Sequence, residues 1–219
     1  MSTHAPQRIG IVGDVHAQAD NLEAALLFFE QNGITTILCV GDVVDGPGDA
    51  NRCCELLREW NVPTVKGNHD RWLLENTMRD LPDTTPREQL TAASIQWLQE
   101  LPITFELETV AGRLLLCHGI GANDMKGLTP DASAYDLESN LELQFLLRED
   151  KFRFLVGGHT HRRMVRRFGS LTAINAGTLL ETQHPRVATL DFVESCMQFH
   201  DFAKGELIPN YKRVDLPAV

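Results

Sequence analysis

Five times in this chain a short hydrophobic run ends in a side chain able to ligate a cation, with a glycine beside it. The blocks are Gly13-Asp14-Val15-His16, Gly41-Asp42, Gly67-Asn68-His69-Asp70, His118-Gly119 and Gly157-Gly158-His159-Thr160-His161. No other feature constrains the fold as much, because residues just past the carboxyl ends of strands in an α/β sheet converge on one rim. Any one of these histidines alone would more often be a solvated or hydrogen-bonded residue than a ligand. His4, His184 and His200 match no block and keep that ordinary reading. The recurrence carries the functional expectation.

Between the blocks the chain alternates in type. Residues 7–12, 36–40 and 62–65 read as strands. Leu22, Ala25, Leu26 and Phe29, then Cys54, Leu57 and Trp60, recur at helical spacing, with Gly33 as a stop and Asp49 or Asn51 as a cap. That order predicts a parallel α/β sheet. Residues 72–78 and 87–98 read as helices around a breaker-rich loop, with Trp97 a packing residue. Residues 103–108 and 113–117 predict a hairpin, 137–149 a helix, and 152–156 the strand that delivers the histidine turn. Residues 164–168, 171–175, 187–192 and 196–202 predict a run of antiparallel strands, and the tail from Pro209 is expected to be weakly ordered. Residues 1–219 are read as one domain, with 76–95 and 121–135 as lid or insert segments.

Bulk properties narrow the classes. The net charge of −10 argues against a broad surface for tracking nucleic-acid phosphates, though not against a local basic pocket. No apolar run approaches the roughly 20 residues that span a bilayer. The first residues lack the basic-then-apolar pattern of a signal peptide, so the expected setting is the cytoplasm. Five scattered cysteines without a CxxC pair read as reduced structural thiols, Cys39 and Cys117 inside strands.

Mixed oxygen and imidazole donors suit Mn²⁺, Fe, Zn²⁺ or Ni²⁺, where an all-oxygen set would suit Mg²⁺ or Ca²⁺. Asp14, His16, Asp42, Asn68, His118, His159 and His161 are too many for one structural ion and suit two, with Asp42 placed to bridge. These blocks, in this order from residue 13 to residue 161, resemble the GDxH, GD, GNH(D/E), H, GHxH pattern of calcineurin-like metallophosphoesterases.

The resemblance implies an α/β fold of four layers (α/β/β/α), two mixed β-sheets packed as a sandwich and flanked by helices. It implies two divalent transition-metal ions, Mn²⁺ the first expectation and Fe, Zn²⁺ or Ni²⁺ also fitting. Asp14, His16, Asp42 and His161 would hold one ion; Asp42, Asn68, His118 and His159 the other. His69 would serve the leaving group, oriented by Asp70. The implied activity is hydrolysis of small or nucleotide-like phosphate esters, foremost as a phosphodiesterase, by a hydroxide between the ions with His69 as general acid. A homodimer is suggested on the same ground.

Asn175-Ala176-Gly177-Thr178 with Pro185-Arg186 is similar to the Asn-Pro-Gly-Ser…Pro-Arg segment of small bacterial and archaeal phosphodiesterases. Ala176 stands in place of the proline, and a turn between strands accounts for the segment equally well. Protein Ser/Thr phosphatases carry an arginine after GDxVD and a glutamate in GNHE. Here Gly46-Pro47 follows Asp45 and Asp70 ends the block, which disfavours that branch. A phosphomonoesterase and a dinucleotide polyphosphate hydrolase stay open, and a non-catalytic scaffold is the weakest alternative because His69 and every ligand are kept. Asp20 and Asp49 read as helix caps, Arg71 as a solvated helix residue, and Asp124 and Lys126 as residues of a loop over the site. Arg162, Arg163, Arg166 and Arg167 form the basic cluster, either an exposed hairpin face or the flank of a pocket for an anionic substrate.

Overall fold

Successive side chains of the first strand, β1 (Arg8–Val12), enter opposite faces, and all but Arg8 are buried: Ile9 and Ile11 enter one apolar cluster and Val12 another, while Gly10 backs onto the ring of Phe29. Such alternation marks a strand covered on both faces. The computed structural model describes residues 5–203 and 206–216. After β1 come α1 (Ala19–Gln31), β2 (Ile37–Cys39), α2 (Ala50–Glu59), α3 (Asn68–Glu75) and α4 (Ala92–Glu100). Then follow β3 (Thr104–Thr109), β4 (Gly112–Cys117), α5 (Ala134–Glu138), α6 (Leu141–Glu149) and β5 (Phe154–Gly157). The chain continues through β6 (Met164–Phe168), β7 (Leu171–Asn175), β8 (Arg186–Asp191), β9 (Cys196–Ala203) and β10 (Glu206–Asp215).

The strands make two five-stranded sheets, ordered β10-β9-β8-β1-β2 and β3-β4-β5-β7-β6. Both are mixed. β1 runs parallel to β2 and antiparallel to β8, while β5 lies between two parallel neighbours, β4 and β7. Ile9, Ile11, Leu38 and Val40 of the first sheet pack against Leu114, Leu116, Phe154 and Val156 of the second. The outer face of the first sheet is covered by residues of the first helices, Leu22, Leu26, Leu57 and Leu73 among them. Leu143 and Leu146 of α6 cover Leu115, Cys117 and Leu155 on the outer face of the second. The four-layer α/β/β/α arrangement is the one implied above.

Several local expectations change. Residues 62–65 make only a bridge, Cys39 to Thr64, because Pro63 brings no N–H and Lys66 N already turns to Pro102 O at 2.8 Å. The predicted run of antiparallel strands divides between the sheets, and β7 lies parallel to β5. The expected helix over 137–149 is broken at Asn140, whose Oδ1 accepts from Leu143 N at 3.0 Å and starts a new helix. In place of a weakly ordered tail, β10 runs to Asp215 and pairs with β9, while residues 217–219 lie outside the described residues; Pro209 falls in the irregularity between Leu207 and Tyr211, on an edge strand where a missing N–H is tolerated. Asp49 caps α2 as expected, accepting from Arg52 N at 3.0 Å. Among the described residues no helix is long and apolar enough to cross a membrane.

Candidate metal centre

Asp14 follows β1, Asp42 follows β2, Asn68 and His69 open α3, His118 follows β4, and His159 and His161 follow β5. His16, Ala17, Asp42, Asp45, His159 and His161 all hold positive φ, 48–66°, a conformation that costs a non-glycine residue free energy. So many on one rim indicate that neighbouring structure over-determines them. Gly67 shows how tightly: a Cβ there would run into the Asp42 carboxylate. Gly13 is pinned likewise against the carbonyl of Gly177.

Asp14, His16, Asp42 and His161 present one donor atom each within 4.8 Å of one another. His118, Asn68 and His159 adjoin them. His118 Nε2 lies 2.9 Å from Asn68 Oδ1 and 3.3 Å from Asp42 Oδ2, and His159 Nδ1 lies 2.8 Å from the same Asn68 oxygen. Asp42 Oδ2 also lies 3.9 Å from His16 Nε2, so this carboxylate faces both groups. All seven sequence-selected donors meet at one place.

The donor chemistry fits cations. His16 Nδ1, His118 Nδ1 and His161 Nδ1 each sit 2.7–2.8 Å from a carbonyl-type oxygen, of Asp45, Val40 and Gln183 respectively. Those bonds place the ring proton on Nδ1 and leave Nε2 as the lone-pair atom. Two such atoms, His16 Nε2 and His161 Nε2, then face each other at 3.0 Å, an arrangement that a positive charge between them would relieve. Asp14 Oδ2 is buried with no hydrogen-bond partner. Burial opposes a charged His118, yet Asp42 and Asp14 outweigh it and raise its pKa to about 10. The carboxylates draw a proton where a metal ion would otherwise balance them.

His69 is set apart from these donors. Its Nδ1 lies 2.8 Å from Asp45 Oδ2, its backbone N–H donates to Asp42 Oδ1 at 2.8 Å, and its ring packs edge-on to Trp72 at 4.8 Å. Burial works against its charged form, but the bond to Asp45 and the charge of Asp42 raise its pKa. Asp70 does not orient His69. Its carboxylate accepts from Val43 N, Val44 N and Gly67 N at 2.8–3.2 Å and ties α3 to the loop after β2. Helix geometry explains the difference, since neighbouring residues of a helix point about 100° apart. Burial and the nearby Asp42 push the Asp70 carboxyl up to about 7.

Sequence reading missed Asp45 and what holds it. Arg79 grips Asp45 through Nη2 at 2.6 Å and Nη1 at 3.1 Å, and Thr85 N donates to it at 2.8 Å. Asp45 ends Gly41-Asp42-Val43-Val44-Asp45, so its spacing from Asp42 was a usable signal; Arg79 and Thr85, inside segment 76–95, gave none. Segment 121–135 is tied to the same rim. Arg71, read as solvated, holds Asp124 with two bonds of 2.6 and 3.1 Å, and a Cβ at Gly127 would meet Thr160. Asn175 Nδ2 donates to Gly158 O at 2.8 Å and Asp14 N to Gly177 O at 3.2 Å, so the 175–178 segment braces the donors from below.

A family model, the calcineurin-like phosphoesterase superfamily domain, matches residues 8–195. An uncharacterized protein of Methanocaldococcus jannaschii is 28% identical over 115 residues, covering 49% of this chain and 47% of that protein. The match thus spans about half the length of that relative. Among solved structures, a hypothetical protein from Pyrococcus horikoshii OT3 superposes with a TM-score of 0.72 at 14% identity, over 92% of this chain and 89% of that one. A metallophosphoesterase from Sphaerobacter thermophilus gives 0.66 at 21% identity, over 90% and 88%. At these identities the likeness shows a shared fold.

Proposed function

The chain belongs to the calcineurin-like phosphoesterase superfamily, and on that premise we propose that it is a two-metal phosphodiesterase of small or nucleotide-like esters. The observation that carries this reading is the convergence of seven donors, Asp42 central among them, beside an independently oriented His69. Asp14, His16, Asp42 and His161 would hold one divalent ion and Asp42, Asn68, His118 and His159 a second, with Mn²⁺ the first choice. When bound, such ions supply Lewis-acid polarisation of a phosphoryl oxygen and a lowered pKa for an attacking water.

The chain's own residues supply the rest. With Nδ1 held by Asp45, His69 Nε2 is the atom left to deliver a proton to the departing oxygen, and it has no hydrogen-bond partner among the described residues. Burial opposes the protonated ring, while the bond to Asp45 and the charge of Asp42 favour it and raise its pKa. Asp45 fixes the ring, and Arg79 with Thr85 fixes Asp45. The bond from His69 N to Asp42 Oδ1 sets the distance between the acid and the donor cluster. All five cysteines are free and buried, in keeping with the reducing cytoplasm proposed as its setting.

The test is hydrolysis of a bis-aryl phosphodiester and the matching monoester by metal-stripped protein, with Mn²⁺, Ni²⁺, Zn²⁺ or Mg²⁺ returned singly. Diester turnover restored by Mn²⁺ or Ni²⁺ is the expected result. A preference for the monoester would replace the diesterase reading with a phosphatase, and two bound ions without turnover would favour a scaffold.

A further inference from the structure

A cleft of about 560 Å³ beside His161 has no part in the chemistry above. Its size is ordinary for a small-molecule site. His161, Arg162, Arg163, Gln183, His184 and Arg186 line it. His161 belongs to both places, with Nε2 in the donor cluster, 3.0 Å from His16, and Nδ1 against Gln183 Oε1 at 2.8 Å. The cleft therefore opens directly from the candidate metal centre.

Three guanidinium groups gather here in a chain of net charge −10. Arg162 meets Asp131 at 2.7 Å, but both side chains are more than half exposed, and such a pair constrains Arg162 little. Arg186 is set deeper. It lies 3.2 Å from Asp201, yet neither its Nε nor Asp201 Oδ1 makes a hydrogen bond although both are buried. Burial lowers the Arg186 pKa, Asp201 pulls it back, and the neighbouring Arg163 lowers it further. Arg163 itself is half-buried and has no carboxylate or hydrogen-bond partner among the described residues. Gly177, at φ +97°, brings these parts together: a Cβ there would lie 3.0 Å from Arg186 Cδ and 3.6 Å from His161 O.

An unpaired cation packed beside a second cation costs free energy that an anion in the cleft would recover. Planar guanidinium groups suit phosphate oxygens, which accept paired N–H donors. We propose that the cleft binds a second phosphate group of the substrate, so that the ester hydrolysed beside His161 is one whose scissile phosphate adjoins another phosphate. The inference rests on the phosphoesterase reading and narrows its substrate to polyphosphorylated compounds. Arg163 is the residue that recognises the added charge.

The test uses the metal-stripped full chain and inorganic tripolyphosphate, with orthophosphate as the control, followed by calorimetry. Tripolyphosphate is expected to bind more tightly than orthophosphate, to weaken about tenfold or more in Arg163→Ala, and to recover in part in Arg163→Lys. In the Mn²⁺-loaded enzyme, the KM for a substrate carrying a second phosphate should rise in Arg163→Ala relative to the KM for a bis-aryl diester, with kcat held. Equal binding of tripolyphosphate by the wild type and Arg163→Ala, or no preference over orthophosphate, would overturn the proposal. Arg163-dependent binding by a protein that hydrolyses no ester would support the anion cleft while overturning the phosphoesterase reading alone. Ester hydrolysis without Arg163-dependent binding would do the reverse.

Discussion

His69 Nδ1 lies 2.8 Å from Asp45 Oδ2, while Asp70, the next residue after His69, turns its carboxylate onto the backbone N–H groups of Val43, Val44 and Gly67. Two acids close in space thus have separable tasks, one holding a proton donor and the other holding the backbone that presents it.

The first prediction concerns Asp45. Asp45→Asn should lower turnover of esters with poor leaving groups by about 10²-fold or more, since misplaced general acids forfeit rate on that order. Aryl esters with good leaving groups should be affected far less, because they need little protonation. Rates measured across a series of leaving-group pKa values would show a steeper dependence in the variant. An unchanged slope would remove the Asp45–His69 pair from the mechanism.

Asp70 should behave differently. Asp70→Asn replaces a buried acceptor of three N–H groups and should cost about 2–4 kcal/mol of stability. At about 2–4 °C per kcal/mol for a chain of this size, the melting temperature should fall by roughly 5–15 °C. The leaving-group slope should stay as in the wild type. A melting curve that did not move would show that the carboxylate is replaceable in its bonds to the backbone.

Asp42 faces both donor groups, with Oδ2 3.9 Å from His16 Nε2 and 3.3 Å from His118 Nε2. Asp42→Asn, and separately His118→Ala, should abolish metal-dependent turnover and reduce the metal content found by elemental mass spectrometry. Far-UV circular dichroism should be nearly unchanged, since these residues lie on a rim outside the apolar clusters. Full metal content and activity in both variants would mean that the ions are held elsewhere.

A pH effect is expected well away from that rim. His200 on β9 is buried beside Phe28, with Nε2 3.2 Å from Thr189 Oγ1. Burial, aided by Arg8 and opposed by Asp201, lowers its pKa from 6.5 to about 4. The unfolded chain therefore binds the proton more readily, so the stabilisation is present above pH 6.5 and lost as pH falls toward 4. The loss amounts to at most about 3 kcal/mol. Urea unfolding of wild type and His200→Phe at pH 7 and pH 5 would check it: the variant should lose less stability between the two. Parallel losses would assign the acid sensitivity to other groups.

Six of the seven donors, all but Asn68, lie within a few residues of strand ends, and that is why they were legible. A strand's direction and its terminal glycine are local properties, and a rim of strand ends needs no knowledge of distant contacts to be anticipated. The four-layer fold followed from the resemblance those blocks carry. Long-range packing decided what local pattern could not express. β8 enters beside β1 rather than beside its sequence neighbours β6 and β7, and residues 62–65 fail to become a strand. The partner of His69 differs from the one the resemblance implied: Asp70 is the next residue, but on a helix adjacent side chains diverge, and Asp45 takes the place beside the ring. Only the folded chain brings Asp45, Arg79 and Thr85 to His69, and only it sets Arg163 beside Arg186 at the edge of the metal-binding residues. The sequence by itself determined which atoms could bind metal. The tertiary structure decided which charges face one another, because electrostatic pairing depends on distance through space and not along the chain.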